Sequence, residues 1–310
     1  MRNILYLLVI SFFVFSCSDS NEEEKVNLST FKDKLSYSLG ADHARSISES
    51  GDPNFGKYNL DKMVQGFEIG IKDKSAFDDA CKNTLKNLFS SSGKSINEKY
   101  LEEGSLCIGK LSGTIFKDSW TKNKGIDKLD LKKIIVGFKH GIQKRDTLIK
   151  REEQSMMIQN FMFDIYKING INMVEEAKKL SNTQITPNGV VVQTLKEGNG
   201  AKPSAGDDVL AHYILMNSSG DTLQSSFDLV EKYGQPLTAF SLSSVIPGWQ
   251  EGIPYMKKGG TYKLYIPFHL AYGEQGMYNP QSKKYDILPF QSLMFYIQLL
   301  NVGKPGSLMK

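Results

Sequence analysis

Hydrophobic residues recur at helical spacing through residues 29–180. "STFKDKLSYSLGADHARSI" opens on Ser29 and Thr30, side chains suited to cap a helix, and Leu35, Leu39 and Ile47 then share one face. "YNLDKMVQGFEIGIKD" continues the pattern through Leu60, Val64, Phe67 and Ile71, and the phrase later returns. Gly66-Phe67-x-x-Gly70-Ile71 matches Gly137-Phe138-x-x-Gly141-Ile142, preceded by Met63-Val64 in one copy and Ile135-Val136 in the other. Upstream, "LSYSLG" has a looser echo in "GSLCIG". This is an internal duplication, and two copies are too few for a solenoid, so two helical units packed together are expected. Glycine inside a helix costs up to about 1 kcal/mol. Close helix contact at Gly66, Gly70, Gly137 and Gly141 would offset that cost; the alternative is that these glycines end short helices.

"TLIKREEQSMMIQNFMFDIYKINGINMVEEAKKL" predicts a connecting helix, broken or bent near Asn169-Gly170. Met157, Phe161 and Ile165 give it one apolar stripe for helix-helix contact, within the chain or with a second copy. Past "SNTQITPNG" the period changes. "GVVVQTLKEGNG" and "DDVLAHYILMNSSGD" read as strands closed by turns, and "GTYKLYIPF" sets Tyr262, Leu264 and Ile266 against Lys263 and Tyr265. "SLMFYIQLLNV" alternates through Leu293, Phe295, Ile297 and Leu299. With a short helix after Pro247, residues 186–303 predict an antiparallel sheet curled around one helix. The fold class is α+β, preceded by an all-α domain at residues 29–180 with repeats over about 29–100 and 101–165.

At 310 residues and 40% hydrophobic, the chain has material for about two packed domains. A net charge of +4 from 38 basic and 34 acidic residues leaves no concentrated cationic patch, which argues against nucleic acid as a partner. Cys17, Cys81 and Cys107 lack metal-ligand spacing and the four histidines are scattered, so neither a metal nor a cofactor is expected. The start, "MRNILYLLVISFFVFSC", has a basic residue and then an apolar run too short to span a membrane comfortably: residues 1–16 read as a secretory signal. Val14-Phe15-Ser16-Cys17 resembles the bacterial lipobox, which implies acylation of Cys17 and a membrane anchor; a plain signal peptide is the alternative. Residues 17–28, with acidic "SDSNEEE", read as a tether. That layout resembles exported lipoproteins of an outer membrane, facing the periplasm or the surface.

Val245-Ile246-Pro247-Gly248-Trp249, then Gly259-Gly260 before a strand, Ala271-Tyr272-Gly273 and "ILPFQSLMF" resemble the FKBP-type peptidyl-prolyl cis-trans isomerases over about the last 120 residues. The helices before them are similar to the helical domain of Mip-like members, with "DKLSYSLGAD" and "MVQGF" close to its phrases. The resemblance implies an FKBP-like sheet and a prolyl isomerase that assists folding outside the cytoplasm by acting on extended, proline-containing polypeptides. It makes the Trp249 indole the floor under the proline ring and has the Ile246 N–H take a substrate carbonyl. Tyr213, Gln224 and Tyr272 complete the implied catalytic set, while Leu223, Val245, Ile287 and Phe295 are substrate-binding residues. Plain core packing is the competing reading for the apolar members.

Two departures from the family stand out. Leu223-Gln224-Ser225-Ser226 replaces Phe-Asp-Ser-Ser, removing an aromatic wall and a carboxylate. Gln224 is expected to accept a hydrogen bond from Tyr213 without bringing charge, and activity to be reduced. "GEQGMYNPQSKKYD" is longer than the usual loop and is expected over the pocket rim. The alternatives are a non-catalytic proline-peptide-binding or chaperone-like surface lipoprotein, and a structural lipoprotein in which the helical half does the work. A homodimer through the helical domain is expected, with an internal pseudo-dimer as the alternative.

Overall fold

The computed structural model describes residues 26–89, 95–234, 236–237 and 239–309, so the signal segment, Cys17 and most of the tether lie outside the described residues. Helix α1 (Phe31–Ser48) begins at a capping box: the Thr30 side chain accepts from the Asp33 N–H while the Asp33 carboxylate accepts from the Thr30 N–H. Asn59 caps α2 (Leu60–Lys72) and Asp78 caps α3 (Asp79–Leu88). After α4 (Leu101–Lys122), Asp130 caps α5 (Leu131–Ile142).

The two repeats interlock. Helix α1 packs against α5 and α2 against α4, so the first helix of each unit lies on the second helix of the other. The repeated glycines make this approach possible. A Cβ on Gly66 would overlap the Leu106 carbonyl oxygen, and one on Gly137 would overlap that of Tyr37, at the corresponding place in the other copy. These glycines lie inside helices, which overturns the alternative that they end them. The two copies also share a polar contact. Ser36 Oγ accepts from the Asp130 N–H at 2.9 Å and Ser105 Oγ from the Asn59 N–H at 3.0 Å. Between the units, Phe67 and Phe138 stack face to face with centroids 3.8 Å apart.

Beyond their shared helices the two units diverge. A Cys81–Cys107 disulfide ties α3 to α4, a pairing the cysteine spacing had not announced. The second unit leads instead into α6 (Arg151–Ala177). Buried Arg45 of α1 anchors its start, pairing with Asp146 and donating to Gln154 Oε1 at 2.9 Å. Met157, Phe161 and Ile165 sink into the helical core of the same chain. The expected break at Asn169-Gly170 is absent: α6 runs through it. Glycine serves there because a Cβ would overlap the Ser292 side chain of the C-terminal part.

That part contains β1 (Thr183–Ile185), β2 (Val191–Lys196), β3 (Asp208–Asn217), β4 (Thr222–Ser225), α7 (Ser226–Glu231), β5 (Ala239–Ser241), α8 (Pro247–Gly252), β6 (Thr261–Ile266), β7 (Met277–Asn279), β8 (Lys284–Ile287) and β9 (Leu293–Gly303). The antiparallel sheet runs β1-β2-β6-β9-β3-β4 with β5 also on β3, and β7-β8 is a separate hairpin. Helix α8 packs on one sheet face, where Gly248 and Gly252 meet Ile266 and Leu264. The other face is covered by α6, whose Val174 and Ala177 bury Val191 and Tyr265. Tyr265 is therefore buried, although its place in the alternation had put it opposite the core face.

Candidate active site

Proline at the first turn of α8 needs no hydrogen-bonded N–H, so Pro247 starts the helix tightly and sets Trp249 two residues in, within that first turn. Trp249 is 4% exposed and is ringed by three aromatics at near-perpendicular or edge-on angles. The centroid distances are 5.8 Å to Tyr213, 5.4 Å to Phe240 and 5.3 Å to Phe295. Such edge-to-face contacts suit the ring quadrupoles and fix the indole plane. Tyr213 and Phe295 arrive because their strands are paired and both point to the core face, at alternate positions of β3 and β9. The indole N–H has no hydrogen-bond partner among the described residues.

Val245, Ile246 and Tyr272 are partly buried against this cluster and Ile287 is buried within it. Gln250 Nε2 donates to the Val245 carbonyl at 2.8 Å, holding the segment before α8 in place. The Ile246 carbonyl accepts from the Trp249 N–H, whereas the Ile246 N–H makes no hydrogen bond among the described residues. Tyr272 is held by its own turn: the Gly276 N–H donates to its carbonyl, and the Phe290 N–H donates to Gly273 O. Burial pushes the Tyr213 phenol above its ordinary value, reinforced by nearby Tyr272, and burial raises Tyr272 as well. Both phenols are neutral donors at neutral pH.

The structure does not bring Leu223 and Gln224 into this cluster. Leu215 pairs with Gln224 and Met216 with Thr222, which makes Leu223 the extra residue of a β-bulge. It is 37% exposed, and Gln224 is exposed too. The expected hydrogen bond from Tyr213 to Gln224 is absent among the described residues, where Gln224 is exposed and in register with Leu215 rather than Tyr213. Sequence reasoning missed Phe240. Its only sequence signal is a lone aromatic five residues before Val245; pairing of β5 with β3, Val209 opposite Phe240, brings it to the indole.

Residues 199–300 match the family of FKBP-type peptidyl-prolyl cis-trans isomerases. The FKBP-type isomerase FkpA of Aeromonas hydrophila is 30% identical over 229 residues, covering 68% of this chain and 79% of that protein. The outer membrane protein MIP of Legionella longbeachae is 28% identical over 197 residues, 59% of this chain and 79% of that one. Among solved structures, Escherichia coli FkpA overlaps 66% of this chain and 97% of its own, at 26% identity and a TM-score of 0.40. With the family motifs seated around Trp249 and the FkpA likeness extending well beyond the sheet into the helices, the chain belongs to the FKBP-type peptidyl-prolyl cis-trans isomerases, of the Mip and FkpA kind.

Proposed function

We propose that this isomerase works on exported polypeptides outside the cytoplasm and that Trp249 is the floor of its proline site. The observation that carries the site is the boxed, nearly buried indole beside an Ile246 N–H that has no hydrogen-bond partner among the described residues. A prolyl bond isomerises across a barrier of about 18–20 kcal/mol because the amide loses resonance as it twists. Nothing need be attacked covalently. Resonance loss leaves less charge on the carbonyl oxygen, so an apolar, water-poor pocket favours the twisted form over the hydrated planar one. In this reading the proline ring lies on Trp249 against Tyr213, Phe295 and Ile287, with Val245 at its side. The Ile246 N–H takes a substrate carbonyl, and the neutral Tyr272 phenol is a second donor.

Export is supported by the signal-like start, by the name of the Legionella relative as an outer membrane protein and by the disulfide, which persists in oxidising compartments. An anchor at Cys17 is part of the same proposal: fatty-acid label should enter the wild type and not Cys17→Ala, and equal labelling of both would remove it. Reduced activity is proposed from the missing carboxylate, since Gln224 is uncharged and unbonded to Tyr213. Those same features favour the second reading, a binding module with little catalysis. A prolyl tetrapeptide isomerisation assay on residues 26–310 separates the two: measurable turnover lost in Trp249→Ala supports the enzyme, and binding of a proline peptide without turnover supports the module.

A further inference from the structure

Clefts of the described chain lie along α6. One of them shares a wall with the proline site. In the β7-β8 hairpin, Met277 pairs with Ile287 and Tyr278 with Tyr285, which leaves Asp286 as an extra residue on β8. Neighbouring residues of a strand point to opposite faces, so Met277 and Tyr278 diverge. Their partners Ile287 and Tyr285 diverge with them, and the bulge is what allows two β8 residues of equal parity to do so. Ile287 turns into the cluster around Trp249. Tyr285 turns away and meets Phe163 of α6 edge-on, centroids 6.3 Å apart. The long loop noted in the sequence is thus a partition. On its far side is a cavity of about 400 Å³, lined by apolar Ile158, Met162, Phe163 and Leu288 and by Tyr285, together with polar Asp42, Ser155 and Gln159.

We infer that this groove is a second subsite that takes an apolar side chain of the same extended client whose proline sits at Trp249. The inference rests on the proline-site reading given under Proposed function. Continuity argues for this occupant, because Leu288 in the groove directly follows Ile287 in the cluster, and its N–H is pinned by Gln291 Oε1 at 3.0 Å. Capacity agrees: a dry cavity of about 150 Å³ already holds benzene, so this space accepts a large side chain. The apolar walls are only partly buried, leaving surface for a ligand to cover. Layers stack about 10 Å apart and an extended chain advances about 3.3 Å per residue, so a client crossing the partition reaches the groove about three to five residues from its proline.

The test uses residues 26–310 and three labelled peptides. One carries a prolyl bond with phenylalanine about four residues away, the second has serine for that phenylalanine, and the third has alanine for the proline. A short prolyl tetrapeptide reports on the proline site alone. The phenylalanine peptide should bind about ten-fold more tightly than its serine twin, and Phe163→Ser should abolish the difference while tetrapeptide kcat/KM is unchanged. Met162→Gln, a milder change to the same wall, should reduce the difference if Phe163→Ser fails to fold. Equal binding of the twins by the wild type, or a difference that survives both variants, overturns the subsite. Failure of the isomerase reading looks different: no turnover of any peptide, with groove-dependent binding of the alanine peptide intact. Light scattering that finds two chains joined in the wild type and separated in Phe163→Ser would assign the groove to a second copy and overturn the client reading.

Discussion

At the scale of single residues, the expected site divides into a part held by packing and a part outside the cluster. Trp249 is fixed by three rings, so Trp249→Leu should keep the fold and lower kcat/KM for a prolyl tetrapeptide by at least about ten-fold, with KM carrying part of the loss. Gln224 is exposed and stands outside the cluster. A carboxylate near the Tyr213 phenol could add a charge-assisted hydrogen bond stronger by about 1 kcal/mol, or roughly five-fold in rate. Exposure and the two-residue offset from Tyr213 weaken that gain, so Gln224→Asp should raise kcat/KM only about two-fold. The gain requires the ionised form. It should hold at neutral pH and fade as the solution is acidified towards the ordinary aspartate value, about 4. A pH series of wild type and variant checks both sign and window, and an unchanged rate at every pH would exclude Gln224 from the pocket. Trp249, Tyr213, Tyr272 and Phe295 were legible because each stands in a short motif or an alternating strand. Phe240 was not, because a lone aromatic acquires its role only through strand pairing with a distant segment. Leu223 was expected as a pocket wall from its place in the motif, yet it is 37% exposed and stands outside the buried cluster.

At the scale of elements, the glycine phrases set the helical core. A Cβ at Gly66 or Gly137 would meet backbone carbonyls that cannot rotate away as a side chain could. Gly66→Ala and Gly137→Ala should therefore each destabilise the chain by about 3 kcal/mol, near the upper end for overpacking. Gly56 has open space where its Cβ would be, so Gly56→Ala is the control and should change stability little. Urea unfolding of the three variants decides it, and a mild effect at both core positions would mean that the helices separate easily. The repeat made these contacts legible, since identical phrases imply identical surroundings. The course of α6 was not: Asn169-Gly170 carries a break signal, yet Lys167 lies 4.7 Å over the Phe290 ring and Gly170 fits against Ser292. Tertiary packing there outweighs the modest local cost of glycine. The same helix buries Tyr265, a residue whose local alternation points the other way. The Cys81–Cys107 pairing was hidden because spacing among three cysteines leaves connectivity open.

At the scale of the whole molecule, the pairing of the helices bears on how many chains are needed. Each helix of one repeat already has its partner in the other, and Phe67 on Phe138 closes the centre. Much of the apolar surface of the paired helices is thus spent within one chain. A second copy could still enter by exchanging one repeat for the other, which would preserve every contact but requires the connection between repeats to open. The disulfide bears on this step. It joins α3 to α4, so α3 moves with α4 and the connection at 73–78 is what would have to open. Six residues reach at most about 20 Å when fully extended, little for a path between two molecules. The oxidised chain, residues 26–310, should therefore be a monomer in light scattering at every accessible concentration. The Cys81→Ser, Cys107→Ser chain frees α3 from α4 and should show a minor dimer when refolded at high concentration, because association then competes with intrachain closure. A concentration-dependent dimer of the oxidised chain would mean that surface outside the paired helices joins two copies, and the intrachain account of the duplication would then no longer explain the assembly.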